Sequence, residues 1–196
     1  VVAGVAFYRA DAAFGESMRS SNPGLALRAH ELAPQVPEYA QVAGGLLWRQ
    51  GLVEQNKEMV NRGEAVLRRG LTADPASVTL RAELARLFSS TTRPEQAVDQ
   101  CRQGLAFSPH YPILQGLWGY SALVAFQDLR LAELSDRLAA ELEDLPVDSP
   151  DGWHWLGRTR SARGDAEAAA AANAKAAQLA PELTDAVYER RLETGG

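Results

Sequence analysis

A single cysteine, Cys101, among 196 residues cannot close an internal disulfide, so the fold has no covalent staple and the redox compartment stays open. Long hydrophobic runs are missing too: no stretch approaches the ~20 apolar residues a membrane helix needs. Basic charge is scarce, with 20 Lys and Arg against 25 Asp and Glu and a formal net charge of −5. That balance argues against a nucleic-acid partner, whose phosphates call for a basic face. The sequence contains no P-loop, G-x-G-x-x-G, H-E-x-x-H, C-x-x-C or G-x-S-x-G pattern. Its histidines, His30, His110 and His154, lie far apart and read as structural or surface residues rather than metal ligands. Cys101 falls at a helix-packing position, as a buried inert thiol would. Carboxylates such as Glu141, Glu143 and Asp144 read as solvated helix faces. The expectation is therefore a chain with no catalytic residue, no metal and no cofactor.

What is present is the composition of an ordinary folded chain, 46% hydrophobic and 23% charged, and a repeat. Apolar, alanine-containing runs close on proline at Pro34, Pro75, Pro109, Pro146 and Pro181, at intervals of 41, 34, 37 and 35 residues. Proline lacks an N–H and disfavours helical geometry in the residue before it, so each one stops a helix and sets a turn. The clearest unit runs from Pro150 to Pro181. Trp153, Leu156 and Gly157 form a W-x2-L-G pattern, Gly164 supplies a break between two short helices, and Ala169 and Ala176 are small residues where helices would touch.

A period near 34 with these residues resembles the tetratricopeptide repeat. Two positions depart from it: Arg160 stands where the repeat has Tyr, and Asn173 where it has Phe or Tyr. Leu84, Ala85, Phe88, Ala97 and Gly104 occupy equivalent places in the unit ending at Pro109, and Pro94 suits the first position of its second helix. In the longer unit before it, residues 39–55 and 58–71 read as paired helices, with Gly44 and Gly45 permitting close contact. Trp118-Gly119 replaces Leu-Gly in the next unit, with a turn at residues 126–128. The first unit is the most degenerate: a helix over 3–18, a turn over 20–24 and a helix over 25–32. The expected fold is all-α, a right-handed superhelical solenoid with units 1–34, 35–75, 76–109, 110–146 and 147–181 and a capping helix over 182–193, in one domain. Such units bury their apolar faces only by stacking.

A narrower resemblance rests on three passages. They are Phe7-Tyr8-Arg9-Ala10-Asp11, then Leu32-Ala33-Pro34 with Pro37-Glu38-Tyr39, and Ser108-Pro109-His110-Tyr111-Pro112 followed by Trp118-Gly119. Together they resemble the soluble C-terminal tetratricopeptide region of O-antigen ligase/polymerase-like membrane proteins. That resemblance implies an extracytoplasmic location, membrane association through an N-terminal region outside this sequence, and contact with a glycan, a lipid carrier or a partner protein. It carries over no catalytic residue. The opening at Val1 reads either as the trimmed end of a larger chain or as the buried face of a first helix.

In the tetratricopeptide family the first helix of each pair lines a groove. The resemblance then puts Arg86, Tyr120 and Arg158, each following the small residue of its unit, in one column. His154 and Glu83 lie a helical turn away, and Tyr39 and Arg49 extend the surface. Two arginines flanking a tyrosine suit an anionic or carboxylate-bearing partner; solvent-facing charge without a ligand is the plainer alternative. Among the tryptophans, Trp153 and Trp118 read as core, with Trp48 and Trp155 open. The leading function is a scaffold that binds a protein or peptide segment in the groove. The accessory glycan- or lipid-binding domain and a structural subunit of a larger assembly are the alternatives.

Overall fold

The computed structural model describes residues 2–194, and among them there are eleven helices and no strand. Their contacts gather into two compact units, Val1–Leu84 and Ala85–Gly196. The first holds α1 (Val2–Ser20), α2 (Pro23–Leu32), α3 (Pro37–Val53), α4 (Lys57–Ala73) and the opening of α5 (Val78–Ser90). The second holds the rest of α5, α6 (Pro94–Phe107), α7 (Pro112–Gln127), α8 (Ala132–Glu143), α9 (Pro150–Ala162), α10 (Ala166–Leu179) and α11 (Asp185–Thr194).

Local chemistry sets these bounds. The helices α2, α3, α6, α7 and α9 all start with proline in the first turn, where its missing N–H costs nothing. Asn22, Asn56, Ser149 and Asp165 cap α2, α4, α9 and α10 through their side-chain oxygens. Because Asn22 caps, Pro23 and Gly24 belong to α2 rather than to the expected turn. Four helices end alike: Ala33, Asp74, Ser108 and Ala180, each just before a proline, have φ of −143°, −133°, −139° and −150° with ψ of 71–86°. All four lie outside the helical region, which a following proline disfavours. The chain turns within each pair at one left-handed residue: Ser21, Gln55, Thr92, Arg130 and Gly164, with φ of 51°, 53°, 55°, 57° and 83°. Only the last is glycine, the residue that adopts this geometry without steric cost. The turn expected at 126–128 lies instead at 128–131, centred on Arg130.

In the first unit, Ala10, Ala29, Ala33 and Tyr39 form a small core against Ala13, Phe14, Leu32 and Val36. The Phe14 and Tyr39 rings lie 4.8 Å apart. The helices α3 and α4 meet through glycine. A Cβ on Gly63 would sit 2.8 Å from both the Gly44 carbonyl oxygen and the Trp48 nitrogen. Alanine in a helix interior usually gains ~1 kcal/mol over glycine, but here it would collide with backbone that cannot rotate away, at a cost of about 1–3 kcal/mol. Gly63→Ala should therefore destabilise, seen as a lower urea midpoint. By contrast, a Cβ on Gly157 meets chiefly the end of the exposed Asn173 side chain, which can swing aside. Gly157→Ala should be neutral or stabilising in the same assay.

His30 is buried in α2, and neither ring nitrogen has a hydrogen-bond partner among the described residues. Burial holds its pKa below the ordinary 6.5, with Arg69 adding to the effect and Glu31 opposing it. The folded state then binds fewer protons than the unfolded one as pH falls below about 6.5. Stability from a neutral His30 is full above that pH and declines on acidification. His30→Leu should be neutral or stabilising at pH 7.5, since it removes an unsatisfied polar group. It should also flatten the fall in urea midpoint between pH 7.5 and 5.5.

The second unit is built around α7, buried over residues 114–119 and 121–125 and packed on α6, α8 and α9. The Ser89 and Ser121 hydroxyls, 2.9 Å apart, join α5 to it. Ala169, Ala172 and Ala176 bury the inner stripe of α10. Arg160, where the repeat has Tyr, makes a two-pronged pair with Glu143 at 2.8 and 3.2 Å. Trp155, Trp118 and Trp48 are buried. Trp153, expected in the core, is only half-buried: its Nε1 donates to the Val147 carbonyl and Lys175 Nζ lies 3.8 Å above its ring.

Candidate functional site

The residues expected in a groove fall into two groups. In the first unit, Tyr39 is buried between α1 and α3, where its hydroxyl bonds the Asp11 carboxylate. Burial, then Asp11, pushes its pKa up to about 12, so it stays a neutral phenol. Glu83 is buried in α5; it accepts a hydrogen bond from Trp48 Nε1 at 2.9 Å and pairs with Arg49 Nη2 at 2.6 Å. Gly45 leaves room for this pair, since a Cβ there would lie 2.8 Å from the Glu83 carboxylate.

In the second unit, Arg86 on α5 and His154 and Arg158 on α9 each touch α11, and Tyr120 on α7 touches Trp155 of α9. Arg86 Nε donates to the Leu192 carbonyl at 2.6 Å. Tyr120 meets Trp155 edge-on, with ring centres 5.0 Å apart. Arg158 pairs with Glu189 at 2.9 Å, its guanidinium 5.4 Å from the Trp155 ring centre. His154 stacks on Tyr188, with centres 4.1 Å apart and planes 12° from parallel.

Burial holds the His154 pKa below its ordinary value; Arg158 adds to this, while Asp185 and Glu189 oppose it. Its 3.8 Å approach to Asp185 is therefore a polar contact of a neutral ring near pH 7, not an ion pair. Asp151, buried in the first turn of α9, pairs with Arg191 at 3.0 Å. Burial raises its pKa, with Arg191 pulling the other way. Beside α11 lies a cavity of about 510 Å³, lined among others by Gln127, His154, Arg158, Ser161, Asn173 and Tyr188.

Asp151, Trp155, Tyr188, Glu189 and Arg191 were not among the expected groove residues. Their partners are 31 to 40 positions away in sequence, and no local pattern marks them. Cys101 is wholly buried, which raises its thiol pKa far above the ordinary value. Among the described residues, no group of three or more His, Cys, Asp or Glu is placed to hold a metal, and no helix is long and apolar enough to cross a membrane.

Helices paired across a single left-handed turn and closed by proline define an all-α protein of tetratricopeptide-like repeats. Among solved structures, the chain is similar to the tetratricopeptide-type helical protein MamA. It has 12% identity to one MamA structure, covering 93% of this chain and 96% of that one, with a TM-score of 0.58. A MamA mutant is 18% identical, covering 89% of this chain and 96% of that one, with a TM-score of 0.50. At such identities the likeness bears on the fold alone. No family model and no curated protein matches the chain.

Proposed function

We propose that this chain is a non-catalytic interaction scaffold that binds a segment of a protein partner on the α5, α7 and α9 face of its second unit. The observation that carries this reading is the seating of α11. A helical stretch of polypeptide is already held there by ring stacking, ion pairs and a backbone-carbonyl hydrogen bond. A face that receives one helix through side-chain contacts has the chemistry to receive another. The tetratricopeptide-like fold fits this reading, and the structural neighbours lend no support to a glycan or lipid carrier or to the O-antigen ligase/polymerase-like assignment.

A photo-crosslinking residue at Tyr120 of the native chain tests it. The expected result is one defined polypeptide captured from Tyr120, lost in Arg158→Glu and not captured from the exposed Phe107 on α6. Equal capture from both positions, or none from Tyr120, would overturn the reading.

A further inference from the structure

Resting on that scaffold reading, we propose that α11 is a displaceable stand-in for the partner, and that the partner segment is an amphipathic helix with the same spacing of groups. Three features of α11 make it a weak occupant. It is 10 residues long, shorter than the ~12–15 at which helices begin to hold in water by themselves. Tyr188 is its one buried side chain among those described; Asp185, Ala186, Glu189 and Arg190 are exposed. Its Glu189 pair with Arg158 is 54% and 40% exposed at the two side chains, a class of contact that holds little.

The fit beneath it is also incomplete. His154 is 5% exposed, yet its Nε2 has no hydrogen-bond partner among the described residues. The same ring lines the cavity of about 510 Å³ that α11 leaves unfilled. A buried polar atom left unmatched disfavours an occupant that leaves it so. The open space beside it admits one that brings a larger side chain with a polar end.

The contacts α11 makes spell out what the partner needs. An acidic residue corresponds to Asp185, an aromatic ring three positions later to Tyr188, a carboxylate next to it to Glu189, and a base two further on to Arg191. The ring takes the His154 stack, the carboxylate meets Arg158, and the base meets Asp151. Because α11 is tethered, it competes at high effective concentration. The apparent affinity for a free segment is the intrinsic affinity multiplied by the fraction of time the face is open.

The test uses the full chain and a fluorescein-labelled synthetic peptide of residues 182–194. Fluorescence anisotropy should show at least ten-fold tighter peptide binding to Tyr188→Ala than to wild type, because that variant loosens α11 and leaves the face intact. Adding Arg158→Glu to the variant, or replacing the peptide's own tyrosine by alanine, should abolish binding. In hydrogen exchange on the wild-type chain, the amides of α11 should exchange well before those of α9. Equal binding to wild type and Tyr188→Ala, binding that survives both controls, or α11 amides as protected as α9 would overturn the proposal. Partner capture at Tyr120 that is unchanged by Tyr188→Ala would leave the scaffold reading standing and sink this one. Absence of capture in both chains would sink the scaffold reading itself.

Discussion

Trp118→Ala should destabilise the second unit by about 3–5 kcal/mol, the range for emptying a large aromatic site in a packed core. The ring is 2% exposed on α7, the helix on which α6, α8 and α9 pack. Its Nε1 donates to the Leu138 carbonyl at 2.9 Å, and the Arg102 guanidinium lies 5.4 Å from its centre. Truncation removes the transfer energy of the ring and leaves a cavity walled by helices that cannot all close in at once. Against a typical total of ~5–15 kcal/mol, that is about a fifth of the stability or more. Urea unfolding followed by circular dichroism measures it. Trp118→Phe, which keeps an aromatic ring but loses the N–H and part of the volume, should cost about 1–2 kcal/mol. Repeats transmit loss mainly to neighbours, so hydrogen exchange should quicken first in α7 and α8 and least in α3. A change below about 1 kcal/mol for the alanine variant would mean that the ring is not the keystone of this unit.

Much of the helical register was legible because proline and capping residues act locally. The four residues before Pro34, Pro75, Pro109 and Pro181 share one backbone geometry, and the sequence needs nothing distant to impose it. The left-handed turns were legible only at Gly164. Ser21, Gln55, Thr92 and Arg130 adopt the same geometry with no residue type that announces it. Trp153, expected in the core, is only half-buried, while Trp155, left open by the sequence, is buried: a W-x2-L-G match names positions in a motif, whereas burial depends on which neighbours cover α9. Gly44 does make the close helix contact expected of it, while Gly45 instead clears space for Glu83. The contacts of the candidate residues were less legible. Arg86, His154 and Arg158 each meet α11, whose return joins Arg86 to Leu192 across 106 positions. Pairings of that range depend on the packed result and leave no trace in local spacing.

Glu83→Ala should cost about 2–4 kcal/mol in the first unit, and Glu83→Gln about 1 kcal/mol or less, although both remove the charge. Two of its partners, Arg49 and Trp48, compete for credit. Arg49 Nη2 is 2.6 Å away, but its side chain is 40% exposed, and water can take over much of its solvation, so the ion pair contributes little. Trp48 is 5% exposed, and its Nε1–H points at the Glu83 carboxylate from 2.9 Å. Alanine strips that N–H of this acceptor inside a closed site and empties the volume of the carboxylate as well. Glutamine keeps an oxygen in place, and Gly45 already provides the space for it. Urea midpoints of the two variants separate the alternatives. A glutamine variant nearly as stable as wild type assigns the stabilisation to the Trp48 hydrogen bond. Equal losses for glutamine and alanine would assign it to the Arg49 pair and reverse the order argued from exposure. Either way, Arg49 and Glu83 are engaged with each other inside the first unit, and a ligand drawing on either would first have to break the 2.6 Å contact between them.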